Sequence, residues 1–241
     1  MHNALVFYFP VDFDSYAVYL SGMNLAKFVD IRMRYFRNQA YRDSLVVSMF
    51  LFCIALVVNY YAGTYASSVT STPVGDVFLS NIPVQPVINL FVDGSTVFWI
   101  FSMLVYITHL QKIPFTLKTA SLFIIIRSVF INLTHIGPFP DMIVLPPDRF
   151  INFLSFKGDL FFSGHTGFPL LMAFIFWDSK LLRYIFIGWS LFFATVVLLG
   201  HLHYTIDVAS AFFITYTIFH LSQIVLKKDF KRAEEGIPLD R

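Results

Sequence analysis

Long apolar runs broken by short polar joins organise the chain from about residue 44 to 226. A helix that crosses a bilayer needs roughly 20 mostly apolar residues. Six windows meet that need, at about 44–67, 87–110, 117–136, 164–178, 182–201 and 204–226. The fourth is short and contains Pro169, so it is expected to begin ahead of its apolar stretch or to kink. The pattern predicts an all-α integral membrane protein with six transmembrane helices, flanked by an N-terminal segment 1–43 and a tail 227–241. In the N-terminal segment Leu20, Met23, Leu25, Phe28, Ile31 and Tyr35 recur at loosely helical spacing among basic residues. Two readings stay open there: an interfacial helix lying on an anionic leaflet, or a positively charged flank that fixes topology. The tail, KKDFKRAEEGIPLDR, reads as a solvated helix end running into disorder. No internal repeat interrupts this layout.

Composition strengthens the membrane assignment. Hydrophobic residues make up 57% of the chain and charged residues 13%, with a mean hydropathy of +0.68. A soluble domain carries about a quarter charged residues. With 17 basic against 15 acidic residues, no basic face dominates, which argues against a nucleic-acid partner. Cys53 is the only cysteine, so neither an intrachain disulfide nor a cysteine-based zinc site is available. The opening stretch lacks a basic n-region, an apolar core and a small-residue cleavage site, and is not expected to be a cleavable signal peptide. Charge also orients the bundle. Lys and Arg gather in the N-terminal segment, in the joins with Lys112, Lys118, Lys180 and Arg183, and in the tail, whereas the alternate joins hold Arg149 and Lys157. Both termini are therefore expected to be cytoplasmic, with the joins around 137–163 and 200–204 exoplasmic.

Candidate chemistry falls on that exoplasmic side. The stretch GHLHYTIDV, residues 200–208, sets titratable groups between two of the most apolar runs. Such groups are expensive near lipid, which marks them for function. His203 and Asp207 are four residues apart and would share a face of a helix beginning near Tyr204. The carboxylate would then accept the imidazole Nδ1 proton and leave Nε2 free as a nucleophile or general base. His201 would point elsewhere, as a headgroup contact or a bystander. In GDLFFSGHT, residues 158–166, Ser163 and Gly164 precede His165 at the predicted start of the fourth span. The N–H groups of a helix N-terminus offer a seat for phosphate. Two histidines beside that seat suggest divided labour, one attacking phosphorus and the other handling the proton of a leaving or entering hydroxyl.

FFSGHT and HYTIDV resemble the two signature segments of the sphingomyelin synthase family, a branch of the lipid phosphatase superfamily. The resemblance runs in order through all six spans, residues 44–226. It implies a lipid phosphatase-like helical bundle and a His–His–Asp triad of His165, His203 and Asp207. By that resemblance His203 carries a phospho-intermediate, Asp207 orients it, and His165 protonates departing diacylglycerol and then deprotonates the acceptor hydroxyl. The implied reaction moves a phospho-alcohol headgroup from a glycerophospholipid to a lipid hydroxyl, ceramide or diacylglycerol, with no metal or other cofactor. Asp93, in FVDGSTVFW, stands where the family has Glu on span two, and Arg127 matches an arginine on span three. Asp159 matches an acidic residue ahead of SGHT, and STPVGDVF, residues 71–78, is similar to a Pro-rich segment before span two. Ser163, Gly164 and Tyr204 lie inside the signature segments and join Asp93, Arg127 and Asp159 as candidate substrate-binding residues.

Departures narrow the reading. The Lys-then-Arg-Pro motif of typical lipid phosphatases is absent, and VVLLGHL ahead of His203 contains no arginine. Clamping of phosphoryl oxygens would pass to Arg127, Arg149, Lys157 and the helix N-terminus, which favours a transferase over a phosphatase. An unpaired Asp93 inside a span would cost about 3 kcal/mol, so it is expected either to pair with Arg127 or to line a headgroup pocket. Arg127 is then a buried ion-pair partner or a phosphate clamp, and Asp159 a loop carboxylate or a cap. Asn132, in NLT, fits a glycosylation acceptor on paper but sits too near the membrane. Two rival functions stand beside the transferase: a lipid phosphate phosphatase or phospholipase C-like hydrolase, and a non-catalytic lipid-binding membrane protein. The sequence leaves headgroup, acceptor and homo-oligomer formation open.

Overall fold

In lipid a chain must satisfy its own backbone hydrogen bonds, and apolar runs of this length do so as helices. The structure, a computed structural model, describes residues 25–143 and 160–236. Helix α1 (Leu25–Arg37) is followed at once by α2 (Gln39–Ser68), with Asn38 between them accepting the Tyr41 N–H at 2.9 Å. Next come α3 (Ile88–Thr108), a 3₁₀ turn at Leu110–Lys112, and α4 (Ile113–Leu133) with Pro114 in its first turn. Then follow α5 (Gly164–Ile175), α6 (Lys180–Leu199), α7 (Thr205–Val225) and α8 (Lys227–Glu235).

Among the described residues five helical segments are long and apolar enough to cross a membrane: α2, α3, α4 with its preceding turn, α6 and α7. Six full spans were the expectation from the sequence; α5, the remaining apolar helix, has 12 residues. At 1.5 Å per residue it runs about 18 Å, well short of a hydrocarbon core of about 30 Å. It starts at a Ser163 cap, contains Pro169, and stops at Phe176, where the chain turns toward the Ser179 cap of α6. Helix α5 is also the most enclosed. It packs against α6 and α7, and its Leu171, Met172 and Ala173 are fully buried in an aromatic core with Phe98, Phe123, Phe186 and Phe193. By contrast α2 meets mainly α4, through a stripe of small residues (Ser44, Ser48, Ala55, Ala62, Ala66) that lets the two backbones approach.

The end of the bundle that carries α1 and α8 is held by charge. Lys112 is buried, and its Nζ donates to the Ile175 carbonyl at 3.0 Å, to Asp178 at 3.2 Å and to Glu234 at 3.3 Å. Lys118 pairs with Asp229 at 2.6 Å. The expected solvated helix end is present as a helix over residues 227–235, exposed at Lys227, Lys228 and Lys231, but one face of it is docked. On that face Phe230 packs on Phe115 and Phe219, Asp229 meets the partly buried Lys118, and Glu234 meets the buried Lys112. Helix α1 is likewise tied down, with Arg32 Nε donating to the Ile107 carbonyl at 3.1 Å and Tyr35 buried against Tyr41.

At the opposite end three joins are laced by backbone bonds. Ser71 N–H donates to His135 O at 2.7 Å, Gln85 N–H to Leu199 O at 2.8 Å and Ile143 N–H to Gly200 O at 3.1 Å. Gly137 is required here: a Cβ on it would overlap the Ser71 carbonyl. Asn132 lies in the last turn of α4 with its amide donating to Ser128 O at 2.7 Å.

Candidate active site

The laced joins fix the turn between α6 and α7, and with it His203. Helix α7 begins at Thr205, so His203 precedes its N-cap residue, Tyr204, and Asp207 is the third helical residue. The pairing of His203 with Asp207 therefore comes from cap geometry and not from two positions on one helical face. Asp207 reaches back: its Oδ2 accepts the Tyr204 N–H at 2.9 Å and lies 3.4 Å from His203 Nδ1. That separation brings charge and imidazole together but falls short of hydrogen-bond geometry, and His203 Nδ1 and Asp207 Oδ1 are buried without hydrogen-bond partners. Asp207 is 0% and His203 7% exposed, so their interaction is barely screened by solvent.

Helix α5 arrives from the side. Ser163 is its N-cap, with Oγ accepting from the Thr166 N–H and hydroxyl, and its own N–H donates to the Asp207 carbonyl at 3.1 Å. That bond docks the start of α5 on the start of α7. Gly164 lets a cation approach the same helix end: a Cβ there would stand 3.2 Å from Arg127 Nε. Arg127, buried in α4, donates from Nε to the Phe162 carbonyl at 2.7 Å. His165 follows, half-buried, between the rings of Phe91 at 4.5 Å and Phe193 at 5.7 Å, and within electrostatic reach of both His203 and Arg127. The structure thus gathers His165, His203, Asp207, Arg127, Ser163 and Gly164 about the N-terminus of α5.

The other candidates are placed differently. Asp93 is exposed on α3, and Arg127 has the Phe162 carbonyl as a partner. Tyr204 is buried as a strut: its hydroxyl donates to Gly137 O at 2.8 Å and accepts the Val74 N–H at 3.2 Å. Burial raises the Tyr204 phenol pKa, a bond from Val74 opposes this, and the charges of Asp207 and Asp76 add to the rise. The hydroxyl therefore stays a donor at neutral pH. Asp159, Arg149 and Lys157 lie outside the described residues. His201 is no surface contact. It is 2% exposed, adopts φ +53°, packs edge-on to Phe139, and has both ring nitrogens without hydrogen-bond partners.

Reading the sequence residue by residue missed the support that Asp76 and the two phenylalanines give. Asp76, within STPVGDVF, sends its carboxylate to the start of α7, with Thr205 N–H at 2.7 Å and Thr205 hydroxyl at 2.8 Å. The available signal was a carboxylate in a Pro- and Gly-containing join on the same side as the histidines.

These features define a class: a membrane bundle, all-helical among the described residues, whose one end collects two imidazoles, a carboxylate and a guanidinium at a helix N-terminus. Comparison of sequences gives it a relation. Residues 158–224 match the family described as PAP2 superfamily C-terminal, which supports the lipid phosphatase superfamily and a phosphatase- or phosphotransferase-type enzyme. The matched stretch contains His165, His203 and Asp207 and is less than a third of the chain. No curated protein and no solved structure matches the chain.

Proposed function

We propose that the chain is a lipid phosphotransferase of the sphingomyelin synthase type, moving a phospho-alcohol headgroup from a glycerophospholipid to a lipid hydroxyl such as that of ceramide. The observation that carries this reading is the gathering of His165, the His203–Asp207 pair and Arg127 around the first turn of α5. In the first half-reaction His203 Nε2 attacks phosphorus. A P–N bond forms, the P–O bond to diacylglycerol breaks, and protonated His165 gives its proton to the departing oxygen. In the second, neutral His165 takes the proton of the acceptor hydroxyl, whose oxygen displaces His203 from phosphorus. Both histidines return to their starting states. Asp207 stabilises the positive charge that grows on His203, and Arg127 with the α5 N-terminus faces the phosphoryl oxygens. The distribution of Lys and Arg supports an exoplasmic site with cytoplasmic termini.

The family match also favours a hydrolase, in which water takes the acceptor's place. One experiment separates the readings: membranes containing the protein receive a donor labelled in its headgroup, with and without ceramide or diacylglycerol. Label appearing in a new lipid that depends on acceptor supports transfer. Label released only as free headgroup or phosphate overturns transfer in favour of hydrolysis. Unchanged lipid turnover by His203→Ala overturns both and leaves a non-catalytic lipid-binding protein.

A further inference from the structure

Asp76 stands in the join between α2 and α3, remote in sequence from the histidines, yet four donors converge on its carboxylate. Thr205 gives its N–H to Oδ2 at 2.7 Å and its hydroxyl to Oδ1 at 2.8 Å. Phe78 and Leu79 give their N–H groups to Oδ1 at 2.9 and 3.1 Å. Two of these donors belong to its own turn and two to the first residue of α7, so one carboxylate rivets the join to the helix. Burial would raise the Asp76 pKa, but the bonds from Thr205, Leu79 and Phe78 outweigh it and hold the carboxyl below the usual carboxylate range. The anion also meets the positive end of the α7 dipole.

What the rivet holds matters more than the rivet. His203 has no hydrogen bond of its own at Nδ1, and its approach to Asp207 is 3.4 Å. The two residues that follow it are instead gripped from outside. Tyr204 is fixed through its hydroxyl by Val74 and Gly137, and Thr205 by Asp76. The imidazole is thus aimed by the backbone on which it rides. We propose that Asp76 is a positioning residue which, by holding Thr205, sets the register of His203 against Asp207. Its consequence for turnover rests on the phosphoryl-transfer reading of that pair; its effect on where His203 lies does not.

The test uses the full chain purified in detergent micelles, as wild type, Asp76→Asn, Asp76→Ala, Thr205→Val and, as control, His203→Ala. Two quantities are read. One is kcat and KM for headgroup transfer or release from a fluorescent glycerophospholipid. The other is the rate at which diethyl pyrocarbonate modifies His203, followed by mass spectrometry, with His109 at the far end of the bundle as internal reference. Misplacement of a catalytic group by about 1 Å costs on the order of a hundredfold. Asp76→Ala should therefore lower kcat at least about tenfold with KM within about twofold. It should also speed His203 modification severalfold and leave His109 unchanged. Asp76→Asn, which keeps one acceptor oxygen, should fall between wild type and Asp76→Ala. Thr205→Val, which loses only the hydroxyl bond, should shift both quantities less and in the same directions. If Asp76→Ala does not fold, Asp76→Asn and Thr205→Val carry the test on the same criteria. Unchanged kcat and unchanged His203 modification overturn the proposal, and so does equal acceleration at His203 and His109, which would mean general loosening. An active His203→Ala would sink the reading of the site, and the modification rates would still judge Asp76. An inactive His203→Ala beside fully active Asp76 variants would sink the positioning role alone.

Discussion

Replacing Asp207 by Asn keeps the side chain's size and removes its charge, which separates its two jobs. From the third helical position Asp207 accepts the Tyr204 N–H at 2.9 Å, and the amide oxygen of Asn can accept the same bond, so the change in folding stability should stay near about 1 kcal/mol. As a charge it faces His203 Nδ1 at 3.4 Å. A carboxylate and an imidazolium at that distance attract by about 5 kcal/mol at an effective dielectric of about 20 and by about 1 kcal/mol at that of water. If His203 becomes positive as it bonds to phosphorus, this attraction is present in the transition state and absent while the ring is neutral. Its loss then appears in kcat, at a factor of ten per 1.36 kcal/mol. The bracket runs from about tenfold to a few thousandfold, and the 0% and 7% exposures of the two residues place the result in its upper half, above about a hundredfold. Donor KM should change less than about threefold, because the ground state loses little. The assay is initial-rate headgroup transfer or release from a fluorescent glycerophospholipid in mixed micelles, alongside a melting curve of the same preparation. A kcat for Asp207→Asn within about threefold of wild type, with His203→Ala inactive, would refute the electrostatic argument. Asp207 would then be a cap and nothing more.

Gly164→Ala puts a methyl group 3.2 Å from Arg127 Nε, so the guanidinium must give by a few tenths of an ångström; kcat should fall by about threefold with a melting point nearly unchanged, since Ala is the better helix former. Unaltered turnover would show that Arg127 does not act at this helix end. Lys112→Met removes the donor to the Ile175 carbonyl and to Asp178 and Glu234, whose side chains are 35% and 41% exposed and can rehydrate. Most of the cost then comes from the carbonyl, about 2 kcal/mol in all, read as a lower melting temperature in micelles with turnover retained below the transition. Acid should weaken the Asp76 rivet. Its folded pKa lies below the unfolded value, so its contribution is complete above the unfolded pKa of about 3.9 and is lost as pH falls through the folded value. Melting curves from neutral pH down to about pH 3 should therefore fall more steeply for wild type than for Asp76→Asn.

The spans were legible because in lipid hydropathy alone decides what is helix. Helices α3, α6 and α7 begin and end close to their windows; α2 begins five residues ahead of its window, at Gln39 behind the Asn38 cap, and α4 starts at Ile113 because Pro114 is well accommodated in a first turn. The members of the site were legible too, since charge next to an apolar run is conspicuous. Their arrangement was not. Asp207 meets His203 by capping, which depends on where α7 begins, and boundaries are the least certain part of any reading of pattern. Asp93 looked equally conspicuous but is exposed, while the flank of α3 that meets the core carries Phe91 and Phe98. Asp76 and the hydroxyl of Tyr204 work across joins distant in sequence, and no local spacing announces such bonds. The docking of α8 was hidden for a similar reason: its partners Lys112 and Lys118 look like ordinary topogenic charges until the fold buries them.

The short α5 gives the arrangement its depth. Its first turn is bound to α7 through Ser163 and Asp207, and its last carbonyl, Ile175, is held by Lys112 at the opposite end of the bundle. Pinned at both ends, the helix fixes the height of His165, ten residues before Ile175, at about 15 Å above that anchor. Arg127 tells the same story from α4, where it lies six residues before the end at Leu133, about 9 Å below it. A fifth helix long enough to cross the bilayer would lift His165 by about 1.5 Å for every residue added and carry it away from Arg127. Shortness is thus what keeps the first turn of α5, with its donors and its histidine, beside Arg127 and between the rings of Phe91 and Phe193. Under the transfer reading proposed above, a histidine carrying the phosphoryl group would need such apolar surroundings, so that the acceptor competes against less water.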